Sequence, residues 1–322
     1  MKVLITGGHG LIGHKVVQHL QSNHQVSVID NHNNYGLIPQ DEVQYLVSER
    51  LKFLQPHRHY DIDIVDQQSI NNITINECPD VMVHMASFPR QKAVNADPSR
   101  GADVMIAGLI NLLESCKNIN LKRFVYISSS MVYGDFQDYV TEHSPCQPQG
   151  QYAIMKLAGE WLVRDYARKL GWEYVIIRPS AVYGPLDVED RVVAKFMLNA
   201  MRGGVLKVNG QNETLDFTYV DDAAIGIVKA VEHPGAANDI FNITKSHSVS
   251  LLTAAEMIVK MVGQGTIQVG HRDRDFPSRG ALDITNARTK LDFQPQVDVE
   301  QGFQAYFHWL SNSSYWQNRL KK

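Results

Sequence analysis

Hydrophobic positions along the chain fall into short runs separated by stretches of helical spacing, the alternation expected of a parallel sheet covered by helices. Lys2-Val3-Leu4-Ile5-Thr6 is a buried-strand pattern that runs straight into Gly7-Gly8-His9-Gly10-Leu11-Ile12-Gly13. Leu11, Val16, Val17 and Leu20 then recur as on one helix face, and Val26 to Asp30 predicts a second strand ending in a carboxylate. Between 31 and 60, Val43 to Val47 and Leu51 to Leu54 predict a helical excursion, followed by a polar loop with His57 and His59. Core strands are predicted at Pro79 to Ser87, Arg123 to Ile127 and Glu173 to Arg178, with helices over 103–119 and from Tyr152 onward. Beyond Gly184 the alternation gives way to short mixed elements, and Phe217 to Glu232 and Phe241 to Ile243 predict a return to the first sheet.

This reading gives a Rossmann-type, doubly wound parallel sheet over 1–178 with 216–244. A smaller mixed α/β substrate domain follows over 179–215 with 245–322. The glycine pattern adds chemistry because it lies between a strand and a helix, with an acid closing the next strand. Gly7 allows a tight turn, Gly10 lets the backbone approach a pyrophosphate, and Gly13 lets the helix pack closely on the strand. The diphosphate is then expected at the helix N-terminus, over Leu11 and Ile12, where free N–H groups favour anions. Asp30, with Asn31 beside it, is expected to accept hydrogen bonds from the adenosine ribose. A 2′-phosphate would be repelled there, and Asn31-His32-Asn33-Asn34 offers no arginine for it, so NAD is expected over NADP. Asp63 and Ile64 are placed at the adenine edge. Met85, Ala86 and Ser87 end a strand with room for a cofactor, whereas His84 reads as a packed core histidine. No metal site is expected, and His57 and His59 read as solvated.

A second constellation is Tyr152 with Lys156, four residues apart and therefore on one helix face. An ammonium close to the phenol is expected to draw its pKa down from about 10 and make it a general acid/base. On the same helix Tyr152, Met155, Gly159, Leu162, Val163 and Tyr166 share one face, with Ile154, Leu157, Ala158 and Trp161 roughly opposite. Two apolar faces predict two partners, the sheet and a second subunit, in a homodimer whose interface pairs this helix with residues 103–119.

Composition narrows the picture only slightly. The 322 residues, 44% hydrophobic and 20% charged with a net charge of −3, fit a globular protein and give no reason to expect nucleic acid or a membrane surface. Cys78, Cys116 and Cys146 are widely spaced and fit free thiols in a cytoplasmic protein.

Taken together, Thr6 to Gly13, Asp30, Asp80 to Ser87, Asn111 to Glu114, Arg123 to Gly134, Tyr152 to Lys156, Arg178 to Pro185 and Asp216 to Asp222 resemble the extended short-chain dehydrogenase/reductases. More narrowly, they resemble the NAD-dependent epimerases and dehydratases of nucleotide sugars. The resemblance implies that Tyr152 takes a proton from a sugar hydroxyl while hydride passes to NAD, and that Lys156 holds the nicotinamide ribose. It implies Ser129 as the catalytic serine with Ser130 beside it, and further cofactor contacts at Ser128, Pro179 and Val182. Family dehydratases carry Asp-Glu after that serine, and UDP-glucuronate decarboxylases carry Glu where Met131 stands. Met131 has no proton to give, so epimerisation is expected, at C4 of a UDP-sugar. A dehydratase or 4-ketoreductase is the alternative within the family, and a non-catalytic NAD-sensing protein the alternative outside it. Ala181, Leu215 and Met105 replace an Asn, an Arg and an Asn common among relatives. Substrate contacts are therefore expected from Ser129, Ser130, Met131, Tyr152 and Ala181, with Arg191, Arg272 and Arg279 on the diphosphate. For the arginines of the 271–279 stretch, pairing with Asp273 and Asp275 is the competing reading.

Overall fold

The computed structural model describes residues 1–88 and 90–321. Its strands in chain order are β1 (Lys2–Thr6), β2 (Gln25–Ile29), β3 (Arg58–Tyr60), β4 (Val81–His84), β5 (Arg123–Ile127), β6 (Glu173–Pro179) and β7 (Val182–Tyr183), then β8 (Val205–Asn209), β9 (Thr214–Asp216), β10 (Thr218–Tyr219), β11 (Asp239–Ile243), β12 (Ser248–Ser250) and β13 (Thr266–Gly270). Seven of them form one parallel sheet in the order β11-β6-β5-β4-β1-β2-β3. The order reverses at β1, which lies between β2 and β4. That switch point opens a crevice at the carboxyl ends of the strands, where open α/β sheets bind ligands.

Both sheet faces are covered, which is why the central strands read as continuous apolar runs. One face packs Val16, Val17 and Leu20 with Ala224 and Ile227; the other packs Leu109, Leu112 and Val163. Residue 243 does not end the chain's contribution to the first core. Ile284, Ala287, Leu291 and Phe293, from the segment read as part of the smaller domain, are buried in it as well. A separate core joins Phe196, Met197, Leu206, Phe303, Tyr306 and Trp316. Its strand pairs are two-stranded: β7 with β10, β8 with β13, and β9 with β12. None of the helices among the described residues is long and apolar enough to cross a membrane.

Of two local expectations, the helical excursion is met over its first patch and the polar loop changes. The excursion after β2 is one helix, Gln40–Leu51, with Val43 and Leu46 inward. The stretch read as a polar loop contains β3, whose short edge pairs Val28 with His59 and Ile29 with Tyr60.

The glycine turn packs backbone directly against backbone. Gly7 has φ +73, a left-handed conformation suited to glycine, and donates its N–H to Ile29 at 2.8 Å. A Cβ on Gly13 would lie 2.1 Å from the Gly7 carbonyl oxygen, so this helix can approach the strand only with hydrogen there. Gly13→Ala is expected to cost about 2 kcal/mol or more, as overpacking against rigid backbone does. A lowered Tm and loss of co-purifying NAD would show it; unchanged values for both would refute the close-approach argument.

Candidate active site

The Leu11–Leu20 helix begins at the crevice with Gly10 as its N-cap and no side chain capping it. Its first N–H groups are therefore available to an anion. On the other side, Met85 donates its N–H to the Thr6 carbonyl at 3.0 Å and Ala86 donates to the Thr6 hydroxyl at 3.2 Å. A Cβ on Gly7 would meet the Ala86 nitrogen at 2.6 Å, so the cradle between the two turns exists only because Gly7 lacks one. This close, side-chain-free cradle fits a dinucleotide diphosphate. Asp30 at the end of β2 is pinned by two backbone donors, His9 and His32, each at 2.9 Å. Asn31, Leu11, Ile12, Met85, Ala86 and Ser87 are all half-buried around it and the turn. Asp63 follows β3 and pairs with Arg100 at 3.3 Å, while Ile64 is buried under Gly108.

Across the crevice, β5 delivers the serines. Ser129 accepts the Met131 N–H at 3.2 Å and so starts the short turn over Ser130–Tyr133. Ser130 and Met131 are buried. Ser128 is committed elsewhere: its hydroxyl donates to Glu160 at 2.5 Å. Facing them, Tyr152 and Lys156 lie on the Gln151–Leu170 helix. The Lys156 ammonium is 5.9 Å from the Tyr152 ring centre and 5.3 Å from that of Tyr126, and it donates to the Ile127 carbonyl at 2.8 Å.

This geometry corrects the expected acidity of the phenol. Burial raises the Tyr152 pKa above 10; Arg191 and the neighbouring Ser129 hydroxyl pull the other way without reversing it. Lys156 does not supply the expected field, because burial lowers its own pKa to about 7, with Glu160 opposing. Its proton is directed at a backbone carbonyl. His84 is the packed core histidine expected, buried against Thr6 with its pKa lowered to about 3 by burial.

Beneath the pair lies a residue set that was not singled out in the sequence. Glu160 takes Arg178 in a two-point ion pair, at 3.0 and 2.6 Å, with both side chains buried. Arg178 also donates to Tyr133, which donates to Asn242 on β11. Burial opposes the Arg178 charge and the Glu160 carboxylate outweighs it, leaving the guanidinium held above its ordinary value. Glu160 stands one turn beyond Lys156, as Lys156 does beyond Tyr152, so the i, i+4, i+8 spacing was the available signal.

The arginines divide. Arg191, at the start of the Val192–Met201 helix, is close enough to Tyr152 to lower its pKa. Arg279 is lowered to about 10 by burial, and Arg191 depresses it further while Glu213 counters; its Nε has no partner among the described residues. Arg90, which the sequence reading passed over, is lowered by burial and then by Arg191, and it pairs with Asp190. Arg191 thus stands within electrostatic reach of Tyr152, and Arg90 and Arg279 within reach of Arg191. Arg272 lies at the rim, paired with Glu213 at 3.2 Å and Asp135 at 3.4 Å. The expected pairing of these arginines with Asp273 and Asp275 is not found among the described residues; Asp273 faces Lys92. Pro179 ends β6, Val182 opens β7, and Ala181 between them has φ +36.

A dinucleotide cradle facing a Ser–Tyr–Lys set defines an oxidoreductase-type site of the short-chain dehydrogenase class. Residues 3–244 match the model of the NAD dependent epimerase/dehydratase family, and the chain belongs to that family. An uncharacterised UDP-glucose epimerase of Bacillus subtilis is 27% identical over 97% of this chain and 98% of its own length. The dTDP-glucose 4,6-dehydratase of Streptomyces niveus is 30% identical over 100% and 96%. Among solved structures, the UDP-glucuronic acid 4-epimerase of Bacillus cereus, in complex with UDP-glucuronic acid and NAD, superposes with a TM-score of 0.88 at 28% identity, covering 96% of this chain and 98% of that one. The UDP-glucose 4-epimerase of Thermotoga maritima gives 0.85 at 25%, covering 97% and 99%.

The unfolded chain keeps a lysine proton up to about pH 10.4, whereas folded Lys156 releases it near 7. Between those values the unfolded state binds more protons, so this group's contribution to stability rises with pH. Relative to Lys156→Met, the unliganded wild type is expected to gain up to about 1.4 kcal/mol per pH unit from about pH 7 to about pH 9. Chemical denaturation of both proteins measures this; a difference flat in pH would contradict the burial argument.

Proposed function

We propose that this protein is an NAD-dependent nucleotide-sugar epimerase acting at C4 of a UDP-sugar. The single observation that carries this reading is Met131, buried beside Ser129 and Ser130 where a dehydrating enzyme needs an acid. The UDP-sugars named with the two epimerase structures support the substrate class. Held by the Gly7–Gly13 turn and Asp30, NAD would supply a reversible hydride acceptor for C4 of the sugar, which is the chemistry a change of configuration there needs. Tyr152 removes the proton from the reacting hydroxyl and gives it back, and Ser129 holds the oxygen in place. Lys156 orients this end of the site from its anchor on the Ile127 carbonyl. Because burial keeps the resting phenol protonated, the cations of the cleft, Arg191 foremost, must favour its ionised form. Arg191 and Arg279 hold the diphosphate, and Arg272 closes the rim. The dehydratase relatives keep a 4,6-dehydration alive as the second reading.

The deciding experiment incubates the protein with a panel of nucleotide sugars in deuterated water and follows products by NMR. Epimerisation at C4 is expected with no solvent deuterium at C5 or C6; deuterium there would establish dehydration instead. Tyr152→Phe is expected to lose about 100-fold to 10,000-fold in rate, the usual worth of a general acid/base, while keeping its fold.

We further propose a homodimer in the cytoplasm. The free thiols Cys78, Cys116 and Cys146 suit a reducing compartment. Ile154 is 52% and Trp161 62% exposed on the Tyr152 helix, an apolar stripe that the protein's own C-terminal part leaves open. Pairing this helix with 103–119 of a second subunit would cover it. Sedimentation at micromolar concentration is expected to show a dimer that Trp161→Glu weakens; a wild-type monomer would overturn the proposal.

A further inference from the structure

Three histidines that the catalytic reading does not use meet behind the adenosine end of the crevice. His9 comes from the glycine turn, His32 from the second position after Asp30, and His59 from β3. Nothing in sequence spacing joins them; the parallel register that sets Val28 opposite His59 does. His9 Nδ1 lies 2.7 Å from His32 Nε2. The three ring centres are 4.5 to 5.5 Å apart. One nitrogen from each ring falls within 4.8 Å of the other two. Two rings sharing one proton is an arrangement a metal ion can replace, since it satisfies both nitrogens at once.

Further features suit a metal better than simple ring stacking. His9 is 2% exposed, and its Nδ1 has the His32 ring as its side-chain partner, so a buried ligand nitrogen is held at a fixed place. His32 is held at φ +53, in the left-handed region, where its ring meets that of His9. His59 Nε2 is 3.2 Å from the Asp30 carbonyl oxygen, so the outermost ring is oriented by the same residue whose carboxylate fixes the His9 and His32 backbones. Donors on one Zn2+ ion sit about 3.3 Å apart when each Zn–N bond is about 2.0–2.1 Å. The observed nitrogens bracket that spacing, and the exposed His59 can swing to close it.

We propose that His9, His32 and His59 form a binding site for a divalent transition-metal ion of the imidazole-preferring kind, such as Zn2+, Ni2+ or Co2+. Three neutral nitrogens and no carboxylate exclude Ca2+ and Mg2+, which take oxygen ligands. Three protein ligands leave a fourth position open. The site adjoins Asp30, includes none of Ser129, Tyr152 and Lys156, and takes no part in hydride or proton transfer.

The test uses the full chain, freed of metal by dialysis against a chelator and titrated with Co2+, whose visible absorption intensifies on low-coordinate nitrogen ligation. The wild type is expected to bind one equivalent, and Zn2+ to displace it. His32→Ala and His59→Ala, which remove a half-buried and an exposed ring, are expected to keep the Tm and weaken binding by more than about tenfold. His9→Ala is left aside because its ring is buried. No absorbance change in the wild type, or equal binding by the His32→Ala/His59→Ala double variant, would overturn the site and leave only stacked rings.

Discussion

The buried ion pair between Glu160 and Arg178 is the constraint on which the catalytic half of this molecule depends. Replacing such a pair with apolar groups can be neutral, but removing one member strands a charge and costs about 3–5 kcal/mol. Here the partners are fully engaged. Glu160 takes two of the guanidinium nitrogens and the Ser128 hydroxyl, and the third nitrogen of Arg178 donates to Tyr133 and the Glu142 carbonyl. Those contacts tie the end of β5, the middle of the Tyr152 helix, β6 and, through Tyr133 and Asn242, β11. The helix therefore cannot rotate about its axis without breaking a desolvated pair. Lys156 and Tyr152, one and two turns away on the same face, inherit that fixed orientation.

Positioning by burial has an electrostatic consequence. The same desolvation that makes the geometry rigid pushes Tyr152 toward its protonated form and Lys156 toward its neutral one. Rigidity and chemical readiness are thus set by different groups. Glu160 holds the frame and raises the Lys156 pKa, whereas Arg191, from the smaller core, supplies the field that favours a phenolate.

What the sequence made legible were local devices whose partners lie within one turn of chain. The Gly7–Gly13 turn, the Asp30 strand end and the Tyr152–Lys156 spacing each follow from backbone geometry over a few residues. Long-range pairings were not legible in this way. β3 is three residues long, polar and at the sheet edge, so it carries no hydrophobic alternation and exists by its register with β2. The Tyr152 helix misled because its most buried face contains Lys156 and Glu160 among Ala153, Gly159, Val163 and Ala167. An apolarity rule assigns those charged positions to solvent. Only Arg178, from a strand 18 residues further on, makes burial of Glu160 tolerable.

The substrate side shows the reverse economy, with unfavourable local structure retained where a ligand would sit. Arg90 at φ +82 and Ala181 at φ +36 both occupy the left-handed region without being glycine. Ser180, adjacent to Ala181, is buried, and neither its hydroxyl nor the buried Nε of half-buried Arg279 has a partner among the described residues. Comparable features occur elsewhere in the fold, at His14, Trp172 and Asn238 among others, so these four bear on a ligand only through their place beside β6 and in the arginine segments. Strain and unmet hydrogen-bonding capacity persist when something outside the unliganded fold uses them. A diphosphate and a sugar hydroxyl are acceptors and donors of the kinds these groups lack. Ala181, where relatives commonly place an asparagine, removes a side-chain amide from this wall and leaves the backbone kink that asparagine tolerates. With alanine there, the polar groups left on this side of the cleft are the kinked main chain and the Ser180 hydroxyl.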